Sequence, residues 1–442
     1  MKIQLSDHFT YKRIFLFTIP SIVMMIFTSI YWIVDGLFVS NFVGKDAFAA
    51  VNFIFPFILI LGTIGFMLGT GGSALVAKTL GENKKEKANE LFSLFIFVTI
   101  ISGIIISTIG ILTIRPVAAL LGAEDTLLEN CVKYGRIVLM GLPFYMLQVE
   151  FQSFFVTAEK PNLGLAITLM SGVTNMILDA LLIGLLKLGI QGAAIATISS
   201  QILGSTISLI YFSSKNKSLL RISKPKFDGK ALLKACTNGA SELMSNVSMN
   251  LVGMLYNIQL LRYVGEDGVS AYGVLMYVCM IFLSIFIGFS IGIAPVVGFN
   301  HGAKNYDELQ NVFRKSLKII IFSSIVMVGL SILLTVPLSK IFVGYDEELF
   351  KLTKRAFYIY SFSYLFSGMA IFGSSFFTAL NNGLISALIS FLRTLIFQIA
   401  AVFLLPLIFD VDGIWLSVVV AELMAAAFSV IFLIVKRKAY HY

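Results

Sequence analysis

The chain has 442 residues, of which 58% are hydrophobic and 13% charged, and its mean hydropathy is +0.91. A soluble protein of this length needs far more charge to cover its surface, so a water-soluble globule is excluded. The net charge of +9, from 33 Lys and Arg against 24 Asp and Glu, does not mark a nucleic-acid binder, because the basic residues gather at the ends of apolar runs, where bilayer orientation accounts for them.

Runs such as Ile14 to Val34, Phe92 to Ile114 and Leu395 to Phe409 approach the ~20 apolar residues that cross a hydrocarbon core. The first is too long for the core of a signal peptide and no small-residue cleavage site follows it, so it reads as a retained span. Breaks rich in Gly, Pro, Asn and charge divide the chain into twelve predicted spans. They lie at 13–39, 47–78, 92–114, 131–157, 163–187, 190–212, 235–263, 269–299, 317–343, 355–380, 383–409 and 413–436.

The two halves repeat at a constant offset of 221 residues. Gly44 and Asp46 correspond to Gly265 and Asp267, Gly71 and Gly81 to Gly292 and Gly302, Pro116 to Pro337, and Asp125 to Asp346. Ser153, Phe155, Thr157 and Ala158 correspond to Ser374, Phe376, Thr378 and Ala379, and Gly192 to Gly413. This is an internal duplication. Six spans per half is an even number, so both halves enter the bilayer from the same side. The expected fold is an all-α integral membrane protein with twelve transmembrane helices in two six-helix bundles, related by a pseudo-twofold axis along the membrane normal. The bundles are 1–212 and 235–442, joined by a basic cytoplasmic linker at 213–234. Loops on the side of the termini carry 22 Lys and Arg and the opposite loops 10, which predicts that both termini are cytoplasmic.

A charge at mid-bilayer costs roughly 2.5–3.5 kcal/mol on insertion scales. The candidates that call for an explanation are Asp35, Glu150, Asp179, Glu242, Arg393 and Glu422, five acids and one base, and that surplus suits a cavity that receives cations. Asp179 shares a helical face with Thr168, Ser171 and Asn175, and the next span repeats the pattern with Thr197, Gln201, Ser205 and Ser208. Asp35 follows Thr28 and Tyr31 at the same spacing. Two carboxylates among amide and hydroxyl oxygens can hold Na⁺ or share a proton; polar residues that merely join helices are the structural alternative. Asp35 and Asp179 project onto Tyr256 and Ala400, so the carboxylate pair belongs to the first half alone. A second stripe, Glu242, Asn246, Asn250, Gly253 and Asn257, faces either its own bundle or a central cleft. Glu150, between Gln148 and Gln152, is a further candidate for the cavity. Glu422 falls at the place of Gln201, and with Arg393 it reads as structural. Abundant Phe, Tyr and Met suit apolar cations through packing and cation–π contact.

No other chemistry emerges. Gly69-Thr70-Gly71-Gly72 lacks the Lys-Ser/Thr and the strand of a phosphate loop. His8, His301 and His441 are scattered, and Cys131, Cys236 and Cys279 form neither a disulfide framework nor a metal-ligand spacing. The expected protein is not an enzyme, needs no cofactor, and draws its energy from an ion gradient unless a separate ATPase subunit supplies it.

The whole pattern resembles the multidrug and toxic compound extrusion (MATE) family, most closely its MepA-like branch. Tyr31-Trp32-Ile33-Val34-Asp35 is similar to the aspartate-bearing segment of the first span. Asn175-Met176-Ile177-Leu178-Asp179 is similar to the fifth-span Asn and Asp, and Thr197 stands where a sixth-span Thr belongs, within Gly192-Ala193-Ala194-Ile195-Ala196-Thr197. The resemblance implies that Asp35, Asn175, Asp179 and Thr197 form an H⁺ or Na⁺ site. It also implies a V-shaped pair of bundles that alternate access to a central cavity, exporting lipophilic cations from a cell membrane as a monomer among lipids. Another branch carries acids in its seventh and tenth spans; Glu242 resembles the former, but no acid lies within 355–380. The rival readings are a lipid-linked oligosaccharide flippase of the same superfamily, or a non-transporting membrane receptor or scaffold.

Overall fold

A computed structural model describes residues 3–442, and its regular elements are helices throughout. The first half comprises α1 (Tyr11–Phe38), α2 (Lys45–Gly81), α3 (Lys85–Leu120), α4 (Asp125–Met140), α5 (Leu142–Thr157), α6 (Pro161–Asp179) and α7 (Gly189–Ser213). The second comprises α8 (Gly229–Tyr263), α9 (Glu266–Gly302), α10 (Tyr306–Val343), α11 (Glu347–Ser361), α12 (Tyr364–Ala379), α13 (Gly383–Phe391), α14 (Phe397–Leu404) and α15 (Pro406–Tyr440).

Among the described residues, nine helical segments are long and apolar enough to cross a membrane, and two bent pairs bring the number to eleven. The pairs are α4 with α5, bent by 55°, and α11 with α12, bent by 48°. The remaining helix, α8, spans 35 residues but carries Glu242, Asn246, Asn250, Asn257 and Gln259, which reduce its apolarity. It completes twelve spans in two bundles. Residues such as Leu112 and Leu333, each 74% exposed, face outward in numbers that only a lipid environment tolerates.

Side-chain caps set several helix starts. Thr10 accepts from the Arg13 N–H, Asp228 from Ala231, Asp346 from Glu348 and Leu349, and Asn382 from Ile385. The Asp228 cap begins α8 at Gly229, so residues 229–234 are helical where the sequence suggested linker. The connection that precedes them is docked: Arg221 N–H donates to Asn89 Oδ1 (2.9 Å) and Ser223 N–H to Ser93 Oγ (2.8 Å), while Lys226 pairs with Glu90.

The halves meet where α1 packs along α9 and α2 along α8 and α9. The pseudo-twofold axis is visible in one reciprocal contact. A Cβ at Gly81 would collide with the Phe299 carbonyl oxygen, and one at Gly302 would collide with that of Lys78; the 221-residue offset carries Gly81 to Gly302 and Lys78 to Phe299. Gly71 and Gly239 form a second backbone-close crossing between α2 and α8. Small residues allow this approach, and van der Waals contact then holds the helices. Further along α1 and α9, Ser29 and Ser284 hydroxyls lie 2.6 Å apart. The Gly81–Gly302 crossing closes the face that carries both termini.

Candidate functional site

Asp35 lies near the end of α1 and Asp179 ends α6, and these two helices pack side by side. Their carboxyl groups face each other closely enough to interact. Asp35 is 4% exposed and Asp179 0%, and neither Asp179 oxygen nor Asp35 Oδ1 has a hydrogen-bond donor. Two carboxylates offer acceptors only, so nothing in the chain itself joins them. Joining them takes a shared proton or a cation. Each helix then continues into a π-helical turn, Val39–Val43 and Ala180–Leu185, and the two turns touch. Such turns break the regular ladder and are frequent at functional sites.

Asn175, one turn before Asp179, is fully buried with both amide atoms unpartnered. Thr197 is fully buried on α7; its hydroxyl donates to the Ala193 carbonyl (3.0 Å), which leaves its oxygen lone pairs available. It lines a cavity with Trp32, Phe55, Tyr134, Tyr145 and Gln201. The phenol groups of Tyr31 and Tyr134 stand close enough to both carboxyls to interact electrostatically. Sequence reasoning missed Tyr134 and Tyr145, because neither stands on a polar stripe and Tyr134 lies between Lys133 and Arg136 at an expected span end. The donors are all oxygens, which suits a hard cation such as Na⁺ or a proton. Among the described residues no three His, Cys, Asp or Glu gather, so a transition-metal centre has no ligand set.

Glu150 stands elsewhere. It is fully buried on α5 beside Thr99 of α3, with both oxygens unpartnered. A Cβ at Gly69 of α2 would lie 3.0 Å from Glu150 Cα, so α2 and α5 are in backbone contact there. That contact is made at the Glu150 backbone, while its carboxyl is buried beside α3.

Glu242, Asn246 and Asn250 lie on one partly exposed stripe of α8. The Asn246 amide donates to the Glu242 carbonyl and the Asn250 amide to that of Asn246, each at 2.9 Å, so both asparagines keep their side-chain oxygens free of that bond. Glu242 is one turn past the Gly71–Gly239 crossing and feels the charge of Arg393. Arg393, on a π-helical turn at Leu392–Ile396, donates from Nε to both Glu422 oxygens at 3.0 and 2.9 Å. The side chains are 15% and 7% exposed, so the two charges form a largely buried ion pair.

The MatE family profile matches residues 20–181 and 243–404, once in each half. The chain belongs to the MatE family. Curated relatives include the multidrug export protein MepA of Staphylococcus haemolyticus, 24% identical over 427 residues, covering 94% of this chain and 91% of that one. The probable multidrug resistance protein YoeA of Bacillus subtilis is 27% identical over 377 residues, covering 81% and 79%. An outward-facing multidrug resistance MATE family transporter of the MOP superfamily superposes with a TM-score of 0.92 at 20% identity, over 98% of this chain and 97% of that one. A MOP superfamily transporter from Pyrococcus furiosus, described as having a binding pocket of reverse polarity, superposes with a TM-score of 0.91 at 21% identity over 98% of both chains. These likenesses establish the MatE fold across nearly the whole chain.

Proposed function

We propose that this MatE protein is a secondary-active multidrug exporter, moving lipophilic organic cations outward against H⁺ or Na⁺ by alternating access. The observation that carries the coupling half of this reading is the buried meeting of Asp35 and Asp179 with no donor between them. A proton or Na⁺ entering there neutralises two facing acceptors, draws α1 toward α6, and biases the first bundle toward one of its two arrangements. Substrate favours the other arrangement, so each ligand weakens the other's binding by the same factor. Asn175 and Thr197 supply the neutral oxygens that complete a Na⁺ shell. The multidrug half rests on the likeness to multidrug export and probable multidrug resistance proteins.

The flippase reading needs free basic residues for an anionic headgroup. Arg393, the base that the sequence singled out inside a span, is taken up by Glu422, which counts against it. The reading extends to a monomer in a cell membrane with both termini cytoplasmic. Purified protein in liposomes, given a pH gradient or a Na⁺ gradient separately, decides the matter. Uphill movement of a cationic dye under one gradient is expected; movement under neither removes the exporter reading.

A further inference from the structure

Each half has a short segment before its first helix, and each segment docks on the opposite half. Leu5 and Phe9, ahead of α1, are both fully buried. Leu5 N–H donates to Glu159 Oε1 (2.8 Å) in the first half, and its carbonyl accepts from Asn300 Nδ2 (3.4 Å) at the end of α9 in the second. Phe9 N–H donates to Glu308 Oε1 (2.8 Å) at the start of α10, and the Phe9 carbonyl accepts from Asn311 Nδ2 (3.0 Å) and Lys315 Nζ (2.8 Å). Asn311 also donates to Glu308 Oε1 (2.8 Å), and His8 Nδ1 lies 2.6 Å from Glu308 Oε2. The segment therefore spans the junction: Leu5 alone bonds to both halves.

The connection ahead of α8 repeats this in reverse. Arg221, Ser223 and Lys226 dock on Asn89, Ser93 and Glu90 at the start of α3 in the first half. The offset of 221 carries Glu90 to Asn311, so the two docking places are pseudo-symmetric partners. Each strap binds the third span of the other half. Both lie on the face closed by Gly81 and Gly302. Parting the halves there strips Leu5 and Phe9 of partners and exposes two buried apolar side chains. Buried backbone groups left unpaired are costly, so the straps cannot be neutral toward that movement.

We propose that residues 3–9 and 221–226 are reciprocal straps that keep the terminus-bearing face closed, with Glu308 and Asn300 as the gating residues that anchor the first. The inference rests on the alternating-access reading for its meaning in the transport cycle. Its structural content is testable without transport. Lys87 and Asp307 are exposed at the starts of α3 and α10, in opposite halves. Spin labels at Lys87→Cys and Asp307→Cys, in a full-length chain with Cys131, Cys236 and Cys279 changed to Ser, report the gap between halves by pulsed distance measurement. One short distance is expected without substitution. Glu308→Ala with Asn300→Ala adds a longer population, and Lys226→Ala with Asn89→Ala does the same from the other strap, while Glu308→Gln, which retains an acceptor for Phe9, shifts the distribution less. If Glu308→Ala with Asn300→Ala fails to insert, the Lys226 and Asn89 variant carries the test. A lowered melting temperature with an unchanged distance distribution in both variants means that the segments only add stability, and the proposal falls. If unsubstituted protein fails to move any cation, the exporter reading fails separately, and the distances still decide the straps.

Discussion

Tyr256 on α8 donates its hydroxyl to the side-chain oxygen of Gln398 on α14 at 2.8 Å, with both residues buried. The 221-residue offset carries Asp35 to Tyr256, so the duplicated position that holds a carboxylate in the first half holds a satisfied neutral donor in the second. The second half thus closes this place with a hydrogen bond, whereas the first holds two carboxyl groups with no donor between them. Asp35→Asn and Asp179→Asn each give the pair a donor of its own and leave it a single titratable carboxyl. Each variant is expected to insert normally and to lose gradient-driven export by at least ~tenfold, about 1.4 kcal/mol of coupling. The double variant should be no worse than either single one, because both act on one interaction. Flux in liposomes checks this; normal export by either single variant removes that residue from the coupling role.

Gly81 and Gly302 meet the opposite backbone reciprocally, so a side chain at either place intrudes on the same crossing. Gly302→Val is expected to cost about 1–3 kcal/mol of packing. Gly81→Val should cost a similar amount, and the two should not add, since the first already forces the helices apart. Thermal unfolding of the detergent-purified variants measures all three quantities. Full additivity contradicts a shared contact at the axis.

Arg393 and Glu422 are matched with little water access, which makes the loss of one partner worse than the loss of both. Arg393→Met leaves a buried carboxylate without its counter-charge, a change worth about 3–5 kcal/mol. Arg393→Met with Glu422→Leu should recover most of that loss. Comparing the melting temperatures of the single and double variants tests this, and equal loss in both means that the ion pair is not the cause.

Much of this architecture was legible because the signals were long-range and repeated. α8 would escape a simple hydropathy scan, yet the breaks on either side of it marked 235–263 as a span. The Asp35 and Asp179 pair was legible because a charge inside an apolar run is itself a strong statement. The bends between α4 and α5 and between α11 and α12 were less so. Pro143 beside Gly141 signals the first bend, but the second, at Phe362 and Ser363, has no local Pro or Gly and follows only from packing. Glu150 carried the same charge signal as Asp35, and only tertiary placement separates a packed carboxyl from a facing pair. The straps lie outside the apolar runs, where periodicity says nothing about docking.

The basic-residue asymmetry of 22 against 10 predicts that the connection between α7 and α8 faces the cytoplasm. Ser214 is exposed just past the end of α7, whereas the Ser218 hydroxyl is engaged with Asn216 and Leu220. Ser214→Cys is therefore the better reporter. An impermeant thiol reagent should reach it only after the membrane is opened. Labelling on intact cells reverses the orientation of every helix.

The proposed exporter needs a group that reads substrate charge, and Glu242 is the expected one. Its side chain is partly exposed, one turn past the Gly71–Gly239 crossing, so it stands just beyond the closed end of the junction between halves. Arg393 is nearby, but its guanidinium is already bound to both Glu422 oxygens, so Glu242 retains much of its own field for a ligand. Asn246 and Asn250 continue the stripe with side-chain oxygens that their own helix does not use as acceptors for each other. A monovalent lipophilic cation resting there gains a charge contact that an uncharged analogue of the same shape lacks. Glu242→Gln keeps the size and removes the charge, so it should weaken the cation by about 1–2 kcal/mol, around tenfold in affinity, and leave the neutral analogue unchanged. Binding of the matched ligands to purified protein, with and without the substitution, makes the comparison. Equal weakening of both ligands assigns Glu242 to the shape of α8 instead of to recognition, because only a charge contact distinguishes the two.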